Sequence, residues 1–439
     1  MNLIMSPLNQ MPKNNPVPKI ELAADDPLHE GLVKEALDKQ LRGTPSQVSI
    51  IKLVDNLVEN AAEMRASDVH IDPEEKDIRV RFRIDGVLHD SFILPKELHS
   101  EVITRIKILS AMRTDEHQAA QDGRFKFFIK HDGREIKIDI RVSVAPTYYG
   151  ENCVMRLLGE GNTAFTLVSL GFSEQNMEVV HKAIKKPYGM ILATGPTGSG
   201  KTTTLYSILK ELNTKDVSII TIEDPVEYSM EGLDQIQVNP RTGLTFADGL
   251  RFILRQDPNI IMVGEIRDNE TAGIAVNAAM TGHLVLSTLH TNDAATTLPR
   301  LLDMKVEPFL ISSTLNVAIG QRLVRMICAD CKVEKRLSPA EIQALTAIIP
   351  AELLHGKTDF YSGVGCKKCN GSGYKSRIGI HEVLPNNEAI RDLIMKRASA
   401  SEIRTVAQKQ GMKTMLEDGI EKALRGITTI EEVLRVFHD

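Results

Sequence analysis

The run Gly195-Pro196-Thr197-Gly198-Ser199-Gly200-Lys201-Thr202 has the spacing G-x-x-x-x-G-K-[ST]. Glycines at these places let main-chain N–H groups close around phosphate oxygens, and a helix opening at the lysine adds partial positive charge. On this reading Lys201 reaches the β and γ phosphates of a nucleoside triphosphate and Thr202 holds Mg²⁺. Thr203, next in the same turn, is grouped with them. Two acidic clusters end apolar runs further along. Ile219–Ile222 leads into Glu223-Asp224-Pro225-Val226-Glu227, and Ile260–Val263 leads into Gly264-Glu265-Ile266-Arg267-Asp268. One acid would organise Mg²⁺ through its water, and another would orient or deprotonate an attacking water. A third apolar run, Leu284–Thr288, is bracketed by His283 and His290. Either histidine could pack or cap, but a place at the strand end favours His290 as a γ-phosphate sensor. Arg251, Arg255 and Arg267 are spaced to reach the same region, with salt bridging an equal alternative.

These groups need elements to hold them. Met190–Thr194 reads as a buried strand feeding the glycine loop. Leu205, Ile208, Leu209 and Leu212 then fall at i, i+3, i+4 and i+7, one face of a helix. Residues 190–194, 217–222, 260–263 and 284–288 are continuous apolar runs of the buried, parallel kind. In such sheets ligands sit beyond the carboxyl ends of the strands, where both acidic clusters fall. The pattern predicts an α/β, RecA-like P-loop core over 173–327.

Ahead of the core, Leu53, Val54, Leu57, Val58 and Ala61 have helical spacing. Two stretches then alternate: Ile78, Val80, Phe82 and Ile84 oppose Arg79, Arg81 and Arg83, and Ile136 to Val144 opposes Lys137, Asp139 and Arg141. Asp85-Gly86 and Asp132-Gly133 are turn signals. Residues 48–160 thus read as a small α+β domain with arginines on one sheet face. That face is either solvated or in contact with phosphate. Residues 1–47 read as a flexible leader with a short helix near Gly31–Leu41, and 161–172 as a linker.

Four of the five cysteines pair as Cys328-x-x-Cys331 and Cys366-x-x-Cys369. This is a tetrathiolate pattern for structural Zn²⁺, closed to substrate. The 34 residues between the pairs exceed ordinary ribbon spacing and imply a helical insertion within the segment 328–375. Cys153 sits in an apolar strand and reads as core. A helical C-terminal region is expected over 376–439, with Thr429 to Glu432 a capping-box spacing that opens the last helix.

A net charge of −5 supplies no general pull toward nucleic acid or anionic membrane. No apolar run approaches the ~20 residues that span a bilayer, and no signal-peptide pattern is present. The expectation is a cytoplasmic protein that reaches a membrane through partners.

The chain resembles the ATPases of type II secretion and type IV pilus assembly (GspE/PilB-like). The resemblance rests on Arg65-Ala66-Ser67-Asp68-Val69-His70, the glycine loop, and Thr221-Ile222-Glu223-Asp224-Pro225-Val226-Glu227. Val263-Gly264-Glu265-Ile266-Arg267-Asp268, Thr281 to Asn292 and the four cysteines extend it, over roughly residues 48–439. It implies a homo-hexameric motor at the cytoplasmic face of the inner membrane. Such a motor acts on a polytopic platform protein, with a cytoplasmic-membrane adaptor and, indirectly, pilin-like subunits as further partners. It also implies a PAS-like N-terminal domain, Glu227 as general base, Glu265 as the Walker B acid, and His283 with His290 as a histidine box. Arg124 and Arg141 match arginines offered to phosphate. Family members often carry a large additional N-terminal domain; about fifty residues precede the shared core here, giving the expectation of a short form, natural or truncated. Three other readings are weaker. The tetracysteine segment argues against a pilus-retraction motor, and the acids and histidines argue against a nucleotide-gated scaffold with little turnover. The acidic net charge argues against DNA translocation.

Overall fold

The computed structural model describes residues 48–131, 134–159, 165–354 and 356–438. The leader, the short helix near Gly31–Leu41 and the Asp132-Gly133 turn lie outside the described residues. The chain divides into two compact units, Met1–Glu160 and Gly161–Asp439.

In the first unit, helix α1 (Ile50–Glu63) buries Leu53, Val54, Leu57, Val58 and Ala61, the stripe set by their spacing. It packs with helix α2 (His99–Leu109) onto a six-stranded antiparallel sheet ordered β3-β2-β1-β6-β5-β4. The strands are β1 (Ala66–Pro73), β2 (Asp77–Ile84), β3 (Val87–Pro95), β4 (Gln121–His131), β5 (Arg134–Thr147) and β6 (Gly150–Gly159). Asp85 and Gly86, at φ 47° and 91°, make the two-residue turn that joins Ile84 to its partner Val87. Cys153 is fully buried in this core, and burial pushes its thiol well above the ordinary range.

The second unit is built on a seven-stranded sheet ordered β15-β12-β7-β11-β10-β8-β9. These are β7 (Gly189–Thr194), β8 (Ile219–Glu223), β9 (Asp234–Gln237), β10 (Ile260–Val263), β11 (Leu284–Leu289), β12 (Leu315–Ile327) and β15 (Tyr374–Pro385). Six run parallel, and β15 is antiparallel to β12. Apolar residues of both strand faces are buried because helices cover both. Helices α3 (Glu174–Ile184) and α4 (Lys201–Leu212) pack on Ile191, Ala193, Met262 and Leu286. The other face, with Leu192, Ile222, Ile261 and Val285, takes α5 (Phe246–Ile253), α6 (Asn269–Met280), α7 (Thr297–Asp303) and α8 (Pro308–Thr314). Leu167 and Phe172, expected in a linker, are buried in this unit's core.

The C-terminal segment differs from a plain helical region. Residues 374–385 form β15, which pairs with β12 along almost its whole length, so the tetracysteine segment is inserted between two partnered strands. The insertion carries the ladder β13 (Lys332–Arg336) and β14 (Asp359–Gly363) besides its helix α9 (Pro339–Thr346). Helices α10 (Glu388–Met395) and α11 (Ala400–Lys409) join the sheet core, while α12 (Met415–Leu424) and α13 (Ile430–His438) pack on the insertion through Leu337, Leu345, Phe360, Ile420 and Val433. Thr429 takes the Glu432 N–H at 3.2 Å, but the Glu432 carboxylate turns to Arg325, so only half of a capping box forms.

Candidate functional site

The glycine loop leaves β7 at Thr194 and enters α4 at Lys201. Gly195, Gly198 and Gly200 have φ of 147°, 79° and 87°, backbone that a Cβ disfavours. At Gly195 a Cβ would also lie 2.4 Å from the Gln321 carbonyl oxygen. The loop is gripped from β12, where Gln321, 2 % exposed, donates its amide N–H to the Ser199 carbonyl at 2.7 Å. Lys201 turns back over the loop and donates to the carbonyls of Gly195 (2.8 Å) and Pro196 (3.0 Å). Burial draws this ammonium down to about 8, with the Glu265 carboxylate acting in the opposite direction. A half-desolvated cation above left-handed glycines and a helix N-terminus is a fitting cradle for a polyphosphate.

Strands β7, β11, β10 and β8 are neighbours, so their carboxyl ends form one edge. Glu265, just after β10, accepts from His290 Nε2 at 3.0 Å and pairs with Arg267 Nε at 2.7 Å. The Thr288 hydroxyl donates to the Gly264 carbonyl and that of Ser287 to Val263, both at 2.7 Å, stitching β11 to the loop that presents Glu265. Glu265 and His290 are therefore brought together beside the glycine loop.

Glu223 is placed elsewhere. It is 2 % exposed and accepts from the Thr221 hydroxyl at 2.6 Å, from Gln235 Nε2 at 3.2 Å and from the Tyr206 hydroxyl. Asp224 is exposed and Glu227 half-buried in the loop beyond it. His283 lies at the amino end of β11, and its Nδ1 donates to the Ala278 carbonyl at 2.9 Å, closing α6. Six residues of strand, about 20 Å at ~3.3 Å each, separate it from His290. Arg251 is engaged by Glu270 and by Asp248 at 3.3 Å. Arg255 donates to the Arg251 carbonyl at 3.1 Å and lies over the Phe252 ring.

In the first unit, Arg124 and Arg141 stand directly opposite one another on β4 and β5, and Arg141 is opposite Arg156 on β6. Arg81 and Arg83 point from the same sheet into ion pairs with Asp72 (2.8 Å) and Asp68 (3.5 Å).

The four cysteines converge, their sulfurs all within 4.8 Å of one another. Cys328 and Cys366 are 3.8 Å apart; Cys331–Cys369 and Cys366–Cys369 are each 3.7 Å. Zn–S bonds of about 2.3 Å at tetrahedral angles require S···S of about 3.8 Å, whereas a disulfide requires about 2.05 Å. The cluster fits a structural Zn²⁺.

The sequence reading missed Gln321, Tyr206 and Gln235. Gln321 follows directly on the apolar run Val317–Ile319 and Gly320, but Arg322 beside it is polar too, and none of the three stands out in the sequence.

A parallel sheet whose strand edge presents this glycine loop, a lysine, a carboxylate and its histidine defines a P-loop nucleoside triphosphatase. Residues 44–435 match the family described as type II/IV secretion system protein, and the chain belongs to that family. The type IV pilus assembly ATPase PilB of Myxococcus xanthus is 48% identical over 88% of this chain and 67% of its own length. The type II secretion system protein E of Xanthomonas campestris is 48% identical over 91% of this chain and 69% of its own. The chain spans about two thirds of the length of these curated relatives. Among solved structures, the pilus retraction motor PilT with bound ADP is 27% identical, with a TM-score of 0.56, covering 88% of this chain and 97% of that one. The chain is an ATPase of this family. No helix among the described residues is long and apolar enough to cross a membrane.

Proposed function

We propose that the chain is the motor subunit of a homo-hexameric ring that couples Mg²⁺-dependent ATP hydrolysis to assembly of a type IV pilus or a type II secretion pseudopilus. It works at the cytoplasmic face of the inner membrane on a polytopic platform protein, an adaptor and, through them, pilin-like subunits. The observation that carries this reading is the Glu265 carboxylate held between His290 and Arg267 beside Lys201.

In this site Lys201, the loop N–H groups and the α4 N-terminus bind the β and γ phosphates. Thr202 and Glu265 would hold Mg²⁺, which supplies charge neutralisation at the transferring phosphoryl group. Glu227 takes the proton of the attacking water, and His290 senses the γ phosphate. Arg124 and Arg141, opposite one another on β4 and β5, meet phosphate oxygens, as the resemblance implies. Cys328, Cys331, Cys366 and Cys369 hold Zn²⁺ in a structural role. The PAS-like character of the first unit remains part of this proposal. Identity of 48% to an assembly ATPase against 27% to the retraction motor supports assembly over retraction.

Steady-state phosphate release tests the enzyme. Lys201→Ala should lose 100-fold or more, and a rate equal to wild type would overturn the site. Glu227→Gln should bind ATP yet turn over at least 100-fold more slowly; normal turnover would reject Glu227 as base. Co-purification of a polytopic membrane protein with the tagged full chain tests the partner.

A further inference from the structure

We propose that Tyr206 is a positioning residue that fixes the loop bearing Glu227 to the helix bearing Lys201. The proposal rests on the reading of Glu227 as general base.

Tyr206 lies on α4, five residues beyond Lys201, and is 1 % exposed. Its hydroxyl faces two ways. It donates to the Glu223 carboxylate, and it accepts from Gln235 Nε2 at 3.4 Å. A phenol can do both at once, and a phenylalanine ring can do neither. Glu223 is satisfied on its other oxygen by Thr221 at 2.6 Å and Gln235 at 3.2 Å, so the carboxylate serves as an anchor, fully engaged away from solvent. Gln235 extends the grip, donating to the Tyr228 carbonyl at 3.2 Å and accepting the Met230 N–H at 2.7 Å. The Tyr206 ring meets Tyr228 edge to face, centroids 4.4 Å apart. The loop that carries Glu227 is thus held at Tyr228, the next residue, and at Met230 by side chains that sit beneath it.

Packing alone does not hold this loop. A cavity of about 270 Å³, lined by Phe165, Tyr206, Lys210, Tyr228 and Met230, opens beside the tyrosine pair. With open volume on that side, hydrogen bonds to Tyr206 and Gln235 set where Glu227 stands relative to the phosphate helix. A base must lie within hydrogen-bond reach of its water, and an error of about 1 Å costs up to about 100-fold.

The test uses the full chain and three variants. Tyr206→Phe keeps the ring against Tyr228 and should lower kcat tenfold or more, with the ATP KM and the affinity for a non-hydrolysable analogue unchanged within about twofold. Thr221→Val removes another donor from the same Glu223 carboxylate without removing the Tyr206 and Gln235 contacts to Tyr228 and Met230. It should lower the unfolding midpoint comparably while keeping kcat within about twofold. Equal kcat losses in the two variants, or a wild-type kcat in Tyr206→Phe, would overturn the positioning role. Glu227→Gln separates the underlying reading: normal turnover there removes the base itself, whereas a dead Glu227→Gln beside a fully active Tyr206→Phe removes only the positioning role.

Discussion

Gln321 donates to the Ser199 carbonyl at 2.7 Å, so the strand beside β7 holds the phosphate loop that β7 feeds. The fit leaves no room for a side chain at Gly195, where a Cβ would meet the Gln321 carbonyl. Loop and β12 must therefore move together. The same strand runs on to Ile327, whose N–H donates to the Ile427 carbonyl at 2.9 Å, and then to Cys328. One continuous strand joins the phosphate loop to the cysteine cluster.

Gln321→Leu keeps the bulk and removes the grip on Ser199. A single hydrogen bond of about 1 kcal/mol corresponds to about fivefold in affinity. Equilibrium titration with a fluorescent ATP analogue should show weakening of about that size, with the unfolding midpoint little changed. Unaltered affinity would show that the loop holds itself.

The Lys201 ammonium, lowered to about 8 by burial, makes ATP binding depend on pH. The charged form binds phosphate. Because its pKa in the nucleotide-free protein is depressed, the charged fraction is full near pH 7 and falls as pH rises through about 8. Affinity should fall toward tenfold per unit above that point. Lys201→Arg, whose guanidinium stays charged, should bind with a flat profile from pH 7 to 9. Titrations at three pH values compare them.

Much of this site was legible because its signals are local. Gly195 to Thr202 fixes loop and helix within eight residues, and continuous apolar runs mark the strands whose ends carry Glu265 and His290. What was not legible depends on partners distant in sequence. Glu223 and Glu227 look alike at the end of β8, and Tyr206 and Gln235, 17 and 12 residues from Glu223, decide that Glu223 turns inward. His283 and His290 flank one apolar run, but a strand separates its ends where a helix would have brought them closer. The cysteines mark the insertion, yet only the pairing of β12 with β15 shows it to be spliced between partnered strands.

The cysteine cluster should hold one zinc per chain by elemental analysis. Cys366→Ser should lose most of the metal and lower the unfolding midpoint by roughly 5–10 °C, because the cluster ties together the two ends of an insertion whose apolar residues pack on α12 and α13. A variant that loses zinc with an unchanged midpoint would separate the metal from folding.

Glu432 ties the last helix to β12. Its carboxylate is 2 % exposed, pairs with Arg325 at 2.6 Å and Arg435 at 2.9 Å, and also takes the Arg325 main-chain N–H at 3.1 Å. Burial alone would raise its pKa, but the two guanidinium groups hold it down to about 2 from an ordinary 4.5. A depressed carboxylate gives stability that is fully present above about 4.5 and is lost as pH falls through about 2. Glu432→Gln leaves Arg325, itself mostly buried, without its counter-charge, which costs about 3 kcal/mol near neutrality. Arg322 still holds the helix through its 2.8 Å bond to the Val436 carbonyl and its place over the Phe437 ring. Urea unfolding at pH 7 should show the full difference between wild type and variant. Repeating it at steps from pH 5 to pH 2 should show the two converge as the wild-type carboxylate takes up its proton. A constant gap across that range would mean that the pair contributes through packing and not through its charge.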